Sequence, residues 1–179
     1  MSNRFLLACI IVIAGCKGSD ERPEQFAFYE QSPLTADERQ SLIHQVQSVL
    51  GQPYTWGGDT LKKGFDCSGL IQYGFRQLGF GQFRNDDEVH REITAHNLYH
   101  YNSEPVETLE QMKQGYFIFF DESGDGRITH NAVFDHVDEQ GAVWVYDAYS
   151  VWQVVAYRQV DDFWAKGPLF GRPLKTTRR

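Results

Sequence analysis

Cysteine is scarce in this chain of 179 residues: Cys9, Cys16 and Cys67 are the only three. That is too few for a disulfide framework, so a packed core has to hold the fold. Long apolar runs are missing too. The longest, Phe5 to Ala14, falls short of the roughly 20 residues that a transmembrane helix needs. Basic runs are absent beyond the short Arg178-Arg179 tail, and the net charge is -7 with a pI near 5.3. Nucleic acid is therefore not an expected partner. No internal repeat or low-complexity segment exists, which excludes solenoids. Aromatic residues, by contrast, reach 15%, which suits a compact domain with a groove.

The N-terminus reads as an export signal. Met1-Ser2-Asn3-Arg4 brings one positive charge, and the apolar run then leads to Ile13-Ala14-Gly15-Cys16. A basic start, a short apolar core and small residues before a cut site are the signature of a signal peptide. An aliphatic residue, two small ones and a cysteine resemble the lipobox of bacterial lipoproteins. The alternative is an ordinary signal peptide or anchor helix with a chance cysteine. The resemblance implies that Cys9 leaves with residues 1–16 and that Cys16 is acylated, anchoring the chain to a membrane through lipid. Lys17 and Gly18 follow in place of the aspartate linked to inner-membrane retention. The implied location is thus the cell envelope, at an outer membrane and facing the periplasm. Residues 17–34, polar and containing Pro23 and Pro33, read as a tether.

About 160 residues remain, enough for one domain with a real core. Thr35 can cap a helix, with Asp37 and Glu38 in its first turn. Leu42, Ile43, Val46, Val49 and Leu50 recur at helical spacing, and Gly51 stops the helix. A second helix is expected from Cys67 to about Leu78, closed by Gly79. A third is expected near Asp86 to His96, within a mixed polar segment. The second half differs. Tyr116 to Phe120, Ile128 to Phe134, Ala142 to Tyr146 and Val151 to Arg158 are apolar or alternating runs between Gly and Asp turns, as antiparallel strands are. Helices first and strands second give an α+β domain with segregated layers.

With the two N-terminal cysteines set aside, one thiol is left in an exported protein and cannot form an intramolecular disulfide. Cys67 is either a reactive thiol or a buried structural one. Its neighbours favour reactivity. It opens a helix, where unpaired N–H groups and the macrodipole favour a thiolate. Asp66 and Ser68 flank it as capping residues, and Gly64 and Gly69 allow close backbone approach. Six histidines could serve as base. His44 lies on the first helix, at the surface or partly packed. His90, His96 and His100 fall in the polar middle segment and are expected to be solvated. His136 sits at a strand end. His130 lies inside a strand that can hold its ring rigidly toward Cys67. Asp147, among Trp144-Val145-Tyr146-Asp147-Ala148-Tyr149, either faces solvent or pairs with His130 and orients it.

Two stretches carry a resemblance. Gly51-Gln52-Pro53-Tyr54-Thr55-Trp56-Gly57-Gly58 and Gly64-Phe65-Asp66-Cys67-Ser68-Gly69-Leu70 resemble the NlpC-type cell-wall peptidases, papain-like cysteine endopeptidases of bacterial murein. The likeness covers roughly residues 40 to 172, within a domain placed at 35–175. Met112 to Phe120, Thr129 to Phe134 and Val145 to Ala148 are similar to later strands of that family. The resemblance implies a papain-like fold, with N-terminal helices packed on an antiparallel sheet. It implies Cys67 as nucleophile, His130 as general base and then acid, and Asp147 as the group that orients the imidazole. Tyr54, with Asp66 and Ser68, would line the substrate and oxyanion site. The implied reaction is hydrolysis of a murein stem-peptide amide through a thioester, beside D-γ-glutamyl and diamino-acid residues, with no metal or cofactor. The other readings are a catalytically weak wall-binding or assembly lipoprotein, and a cysteine amidase acting on a different amide. Three positions depart from the family pattern. Tyr116 stands where aspartate is usual, Asp147 stands where histidine is frequent, and the segment from about Phe80 to Glu110 is longer, forming a lid or a wall of the groove.

Overall fold

The computed structural model describes residues 28–179. The expected signal peptide, Cys16 and most of the expected tether lie outside the described residues. The elements run β1 (Tyr29–Pro33), α1 (Ala36–Gln47), β2 (Asp59–Thr60), β3 (Gly64–Phe65), α2 (Cys67–Gln77), β4 (Phe83–Asn85), β5 (Glu88–His90), α3 (Ala95–Asn102), β6 (Ser103–Val106), β7 (Phe117–Phe120), β8 (His130–Val137), β9 (Val143–Tyr149), β10 (Val154–Gln159) and β11 (Leu169–Arg178). This is the expected α+β arrangement. Seven strands form one antiparallel sheet in the order β1-β11-β7-β8-β9-β10, with β6 also pairing with β11.

Local chemistry starts the first two helices where the sequence places them. Thr35 caps α1: its hydroxyl accepts from the Glu38 N–H at 3.2 Å, and the Glu38 carboxylate accepts from the Thr35 N–H at 2.8 Å. This reciprocal box satisfies two donors that would otherwise lack partners. Leu42, Ile43 and Val46 then turn one face inward. Asp66 caps α2, accepting from the Gly69 N–H at 2.7 Å, so that Cys67 is the first helical residue.

The sheet separates two apolar layers. All four residues of β7 are buried, and alternation explains why. Phe117 and Phe119 face the helices with Leu42, Ile71 and Val133. Ile118 and Phe120 face the opposite layer with Met112, Val145, Phe163 and Phe170. Tyr116, the residue in place of the usual aspartate, is buried, with the Arg39 guanidinium 5.2 Å from its ring centre.

Two sequence expectations are corrected. The polar tether expected over 17–34 gives its last residues to the sheet: Tyr29–Pro33 pair with β11 from Tyr29↔Arg178 to Pro33↔Leu174. Backbone pairing at an edge needs no apolar alternation, and Tyr-Glu-Gln-Ser-Pro has none. The helix expected near Asp86 to His96 is a β4–β5 hairpin followed by α3. Asp86 turns the hairpin at φ +57°, and Thr94 caps α3 through the Asn97 N–H at 3.2 Å. The buried Asn102 side chain bonds both the N–H and the carbonyl of Arg84, each at 2.8 Å, which ties hairpin to helix.

The glycine-rich loop before β2 docks directly on α2. A Cβ at Gly69 would lie 1.9 Å from the Gly58 carbonyl oxygen, an atom of the backbone that has no rotamer to move into. Gly69→Ala is therefore expected to lower unfolding stability by about 1–3 kcal/mol, the usual range for overpacking. Urea unfolding measures it, and a change within error of wild type would show that the loop yields freely.

Candidate active site

Cys67 stands half-buried at the N-terminus of α2 as a free thiol. Its Sγ lies 4.0 Å from the Thr129 carbonyl oxygen, next to His130 at the start of β8. The neighbouring Asn131, buried, donates from Nδ2 to the Cys67 carbonyl at 2.9 Å. One strand thus presents the imidazole and fixes the backbone of the thiol-bearing residue.

His130 is itself buried, at 7% exposure. Its Nε2 donates to Asp147 Oδ2 at 2.9 Å, which leaves the other ring nitrogen for the thiol side of the site. Phe120 is directly opposite His130 across the β7–β8 ladder, and the two rings stack at 6.0 Å. Burial alone would lower the basicity of this imidazole. The Asp147 hydrogen bond, the nearby Cys67 sulfur and the negative charge of both groups outweigh it, and the imidazolium is stabilised up to about pH 10.

Asp147 is 1% exposed, so the solvent-facing alternative is excluded. Burial raises its affinity for a proton, but His130 and Arg158 hold it below the usual carboxylate range. Arg158 meets it through Nε at 3.0 Å to Oδ1 and through Nη2 at 2.6 Å to Oδ2. In the sequence Arg158 is only the last residue of an alternating run. An arginine closing an alternating run reads as solvated unless the register with the neighbouring strand is known. Asn131 was missed for a similar reason.

Tyr54 packs beside Cys67 in the loop before β2. Partial burial and the negative charges of Cys67, Asp66 and Glu122 raise its hydroxyl pKa, so it stays a neutral donor. Asp66 is engaged within the fold. Its Oδ1 accepts from the Ser68 hydroxyl at 3.0 Å and the Gly69 N–H, and its Oδ2 accepts from the Gly57 N–H at 2.8 Å. Tyr54, Asp66, Cys67, Ser68 and His130 all line one groove of about 830 Å³. The far wall comes from the long middle segment, including Asn85, Glu92 and His96. That segment is a packed wall, and His96 joins it to the strand side by accepting from the Ile128 N–H at 3.3 Å. Burial, with the nearby His100 and Arg127, lowers the pKa of His96.

The other histidines stand apart from the thiol. His44 is exposed and bonds Gln40, His90 pairs with Glu88, and His136 pairs with Asp135 and stacks on Trp144. Among the described residues no group of three or more His, Cys, Asp or Glu side chains is placed to hold a metal ion. Cys16 lies outside the described residues.

Known proteins resemble this chain in sequence and in fold. It is 35% identical over 78 residues to Probable endopeptidase YafL of Escherichia coli (strain K12), covering 44% of this chain and 28% of that protein. It is 32% identical over 93 residues to Murein DD-endopeptidase MepH of the same organism, covering 51% and 31%. The chain therefore spans less than a third of the length of either relative. A solved structure described as similar to lipoprotein, NLP/P60 family, from Staphylococcus aureus subsp. aureus Mu50 superposes with a TM-score of 0.59. That match covers 80% of this chain and 44% of the other at 22% identity, a likeness of fold. The sequence model of the NlpC/P60 family matches residues 51–164, a span that holds the glycine-rich loop, Cys67, His130, Asp147 and Arg158. With well over half of its length matched and the papain-like α+β fold in common, the chain belongs to the NlpC/P60 family.

Proposed function

We propose that the protein is a cysteine endopeptidase that hydrolyses an amide bond of the murein stem peptide, beside D-γ-glutamyl and diamino-acid residues. The observation that carries this reading is a free thiol at a helix N-terminus facing a buried imidazole, which is held in turn by a buried carboxylate. In the proposed reaction the Cys67 thiolate attacks the carbonyl carbon. The tetrahedral oxyanion is met by the Cys67 backbone N–H and the Tyr54 hydroxyl. His130 passes its proton to the leaving amine as the C–N bond breaks, and a thioester remains. Water then attacks the thioester and His130 takes a proton from it; the C–S bond breaks, the carboxylic acid leaves, and the Cys67 thiolate and His130 imidazolium are restored. Asp147 keeps the imidazole in one tautomer and orientation throughout.

Murein as substrate is supported by the name of the relative MepH and by the motif surrounding Cys67. Export, acylation at Cys16 and an envelope location at the outer membrane are part of the same proposal. They rest on the lipobox-like Ile13-Ala14-Gly15-Cys16 and are consistent with the lipoprotein description of the staphylococcal neighbour.

Incubation with purified stem peptides and intact sacculi, with fragments read by mass, tests the reaction. Wild type is expected to release new peptide fragments and Cys67→Ala to release none while remaining folded. Intact substrate with reduced, folded wild type would overturn the murein reading. A second expectation concerns pH. His130 binds its proton more tightly in the folded protein than unfolded, where imidazole titrates near 6.5. The stabilisation from this proton is complete below about pH 6.5 and is lost as pH rises through about 10. The alkaline limb of kcat/KM is accordingly expected near pH 10, and a limb near 6.5 would contradict the ion-paired resting state.

A further inference from the structure

Arg158 belongs to no part of the reaction just described, yet it is buried and makes charge-assisted contacts to both oxygens of Asp147. It is 3% exposed and lies on β10, opposite Val145 of β9, with Ala156 opposite Asp147. Asp147 and Arg158 are thus diagonal neighbours on one face of the sheet. The guanidinium grips the carboxylate with its fork: Nε to Oδ1 at 3.0 Å and to Oδ2 at 3.2 Å, and Nη2 to Oδ2 at 2.6 Å. Nη1 donates to the Gln159 carbonyl at 3.3 Å, and the guanidinium carbon sits 3.7 Å from the centre of the Tyr149 ring. The arginine is therefore held from several directions and is almost wholly shielded from solvent.

We infer that Arg158 is a positioning residue of this site: its planar fork locks the Asp147 carboxylate so that Oδ2 stays aimed at His130 Nε2 and the carboxylate stays ionised. A carboxylate with one partner can swing about its terminal torsion. With both oxygens held by a rigid two-donor group it cannot, and a lysine ammonium lacks the geometry to do the same. The consequence passes along the chain of contacts. If Asp147 takes up a proton, the His130 imidazolium loses its counter-charge, and the Cys67 thiolate loses a firmly held partner. The charged and titratable groups around this chain are Arg158 against Asp147, Tyr149 against both Arg158 and His130, Asp147 and Cys67 against His130, and Tyr54, Asp66 and Glu122 on the Cys67 side. Only Arg158 is a permanent cation among them.

This inference rests on the Cys67–His130 reading, so its test is chosen to work without a murein substrate. The whole protein is alkylated with iodoacetamide across pH, and the rate is followed by mass on the peptide that carries Cys67. In Arg158→Gln the acid limb of the rate profile is expected to move up by about 1 pH unit, which is about a tenfold slower reaction on that limb. At pH 9 the rates should agree within about threefold, because the thiolate is then formed in both proteins. Arg158→Lys keeps the charge but loses the fork, and its acid limb is expected between the two. On stem peptides both variants should lower kcat with KM nearly unchanged. If Arg158→Gln does not fold, Arg158→Lys alone decides. Folded variants whose alkylation profiles superimpose on wild type would overturn the role of Arg158 and leave the thiol–imidazole pair standing. A wild-type profile that follows a single ordinary thiol titration near pH 8.5 would overturn that pair, and the role of Arg158 with it.

Discussion

A carboxylate without solvent is the constraint around which this structure is arranged. Asp147 is almost completely buried, and an ionised group in that position is tolerated only when its lone pairs are met. Imidazole and guanidinium meet them from two different strands. Breaking such a buried pair from one side typically costs about 3–5 kcal/mol. The registers of β8, β9 and β10 therefore carry an electrostatic requirement as well as a hydrophobic one. A shift of one residue along β9 would put Asp147 on the helix-side face and a neighbouring apolar or aromatic residue beside His130.

The helical half answers to a different constraint, close backbone contact. Gly58 and Gly69 bring the loop that carries Tyr54 against the first turn of α2, with Asp66 bonded to both segments. Thiol, tyrosine hydroxyl and helix N-terminus thereby converge without a side chain between them. Asn131 then joins this half to the sheet by holding the Cys67 carbonyl. The middle segment adds the outer wall of the groove and contributes little to the core beyond Phe83, Ile93, Ala95 and Leu98. Its polar composition follows from that position, because one side packs on the domain and the other faces the groove.

Much of this was legible in the chain, and the unread parts share a cause. The caps at Thr35 and Asp66, the apolar spacing from Leu42 to Val49 and the alternating runs of the second half are local signals, and each led to the right element. The hairpin at Asp86 was misread because Asn-Asp-Asp-Glu is as good a first turn for a helix as it is a tight turn. What decides between them is Asn102, which reaches back to Arg84. Strands β1 and β11 lack an apolar alternation that would announce them; β1 is a strand because it pairs with β11, and β11 because it pairs with β1, β6 and β7.

By itself the sequence determined the nucleophile candidate, its place at the start of a helix, the histidine and acid to look for, and the class of fold. Those follow from residue type, short-range spacing and the absence of any other cysteine after Cys16. The tertiary structure decided which groups stand behind them. Arg158 reaches Asp147 because β9 and β10 pair in one register, Asn131 reaches Cys67 because β8 passes the end of α2, and the long middle segment becomes a wall because it packs as a hairpin and a helix. Each of these is a meeting of residues far apart in the chain, and no local preference of the backbone specifies such a meeting.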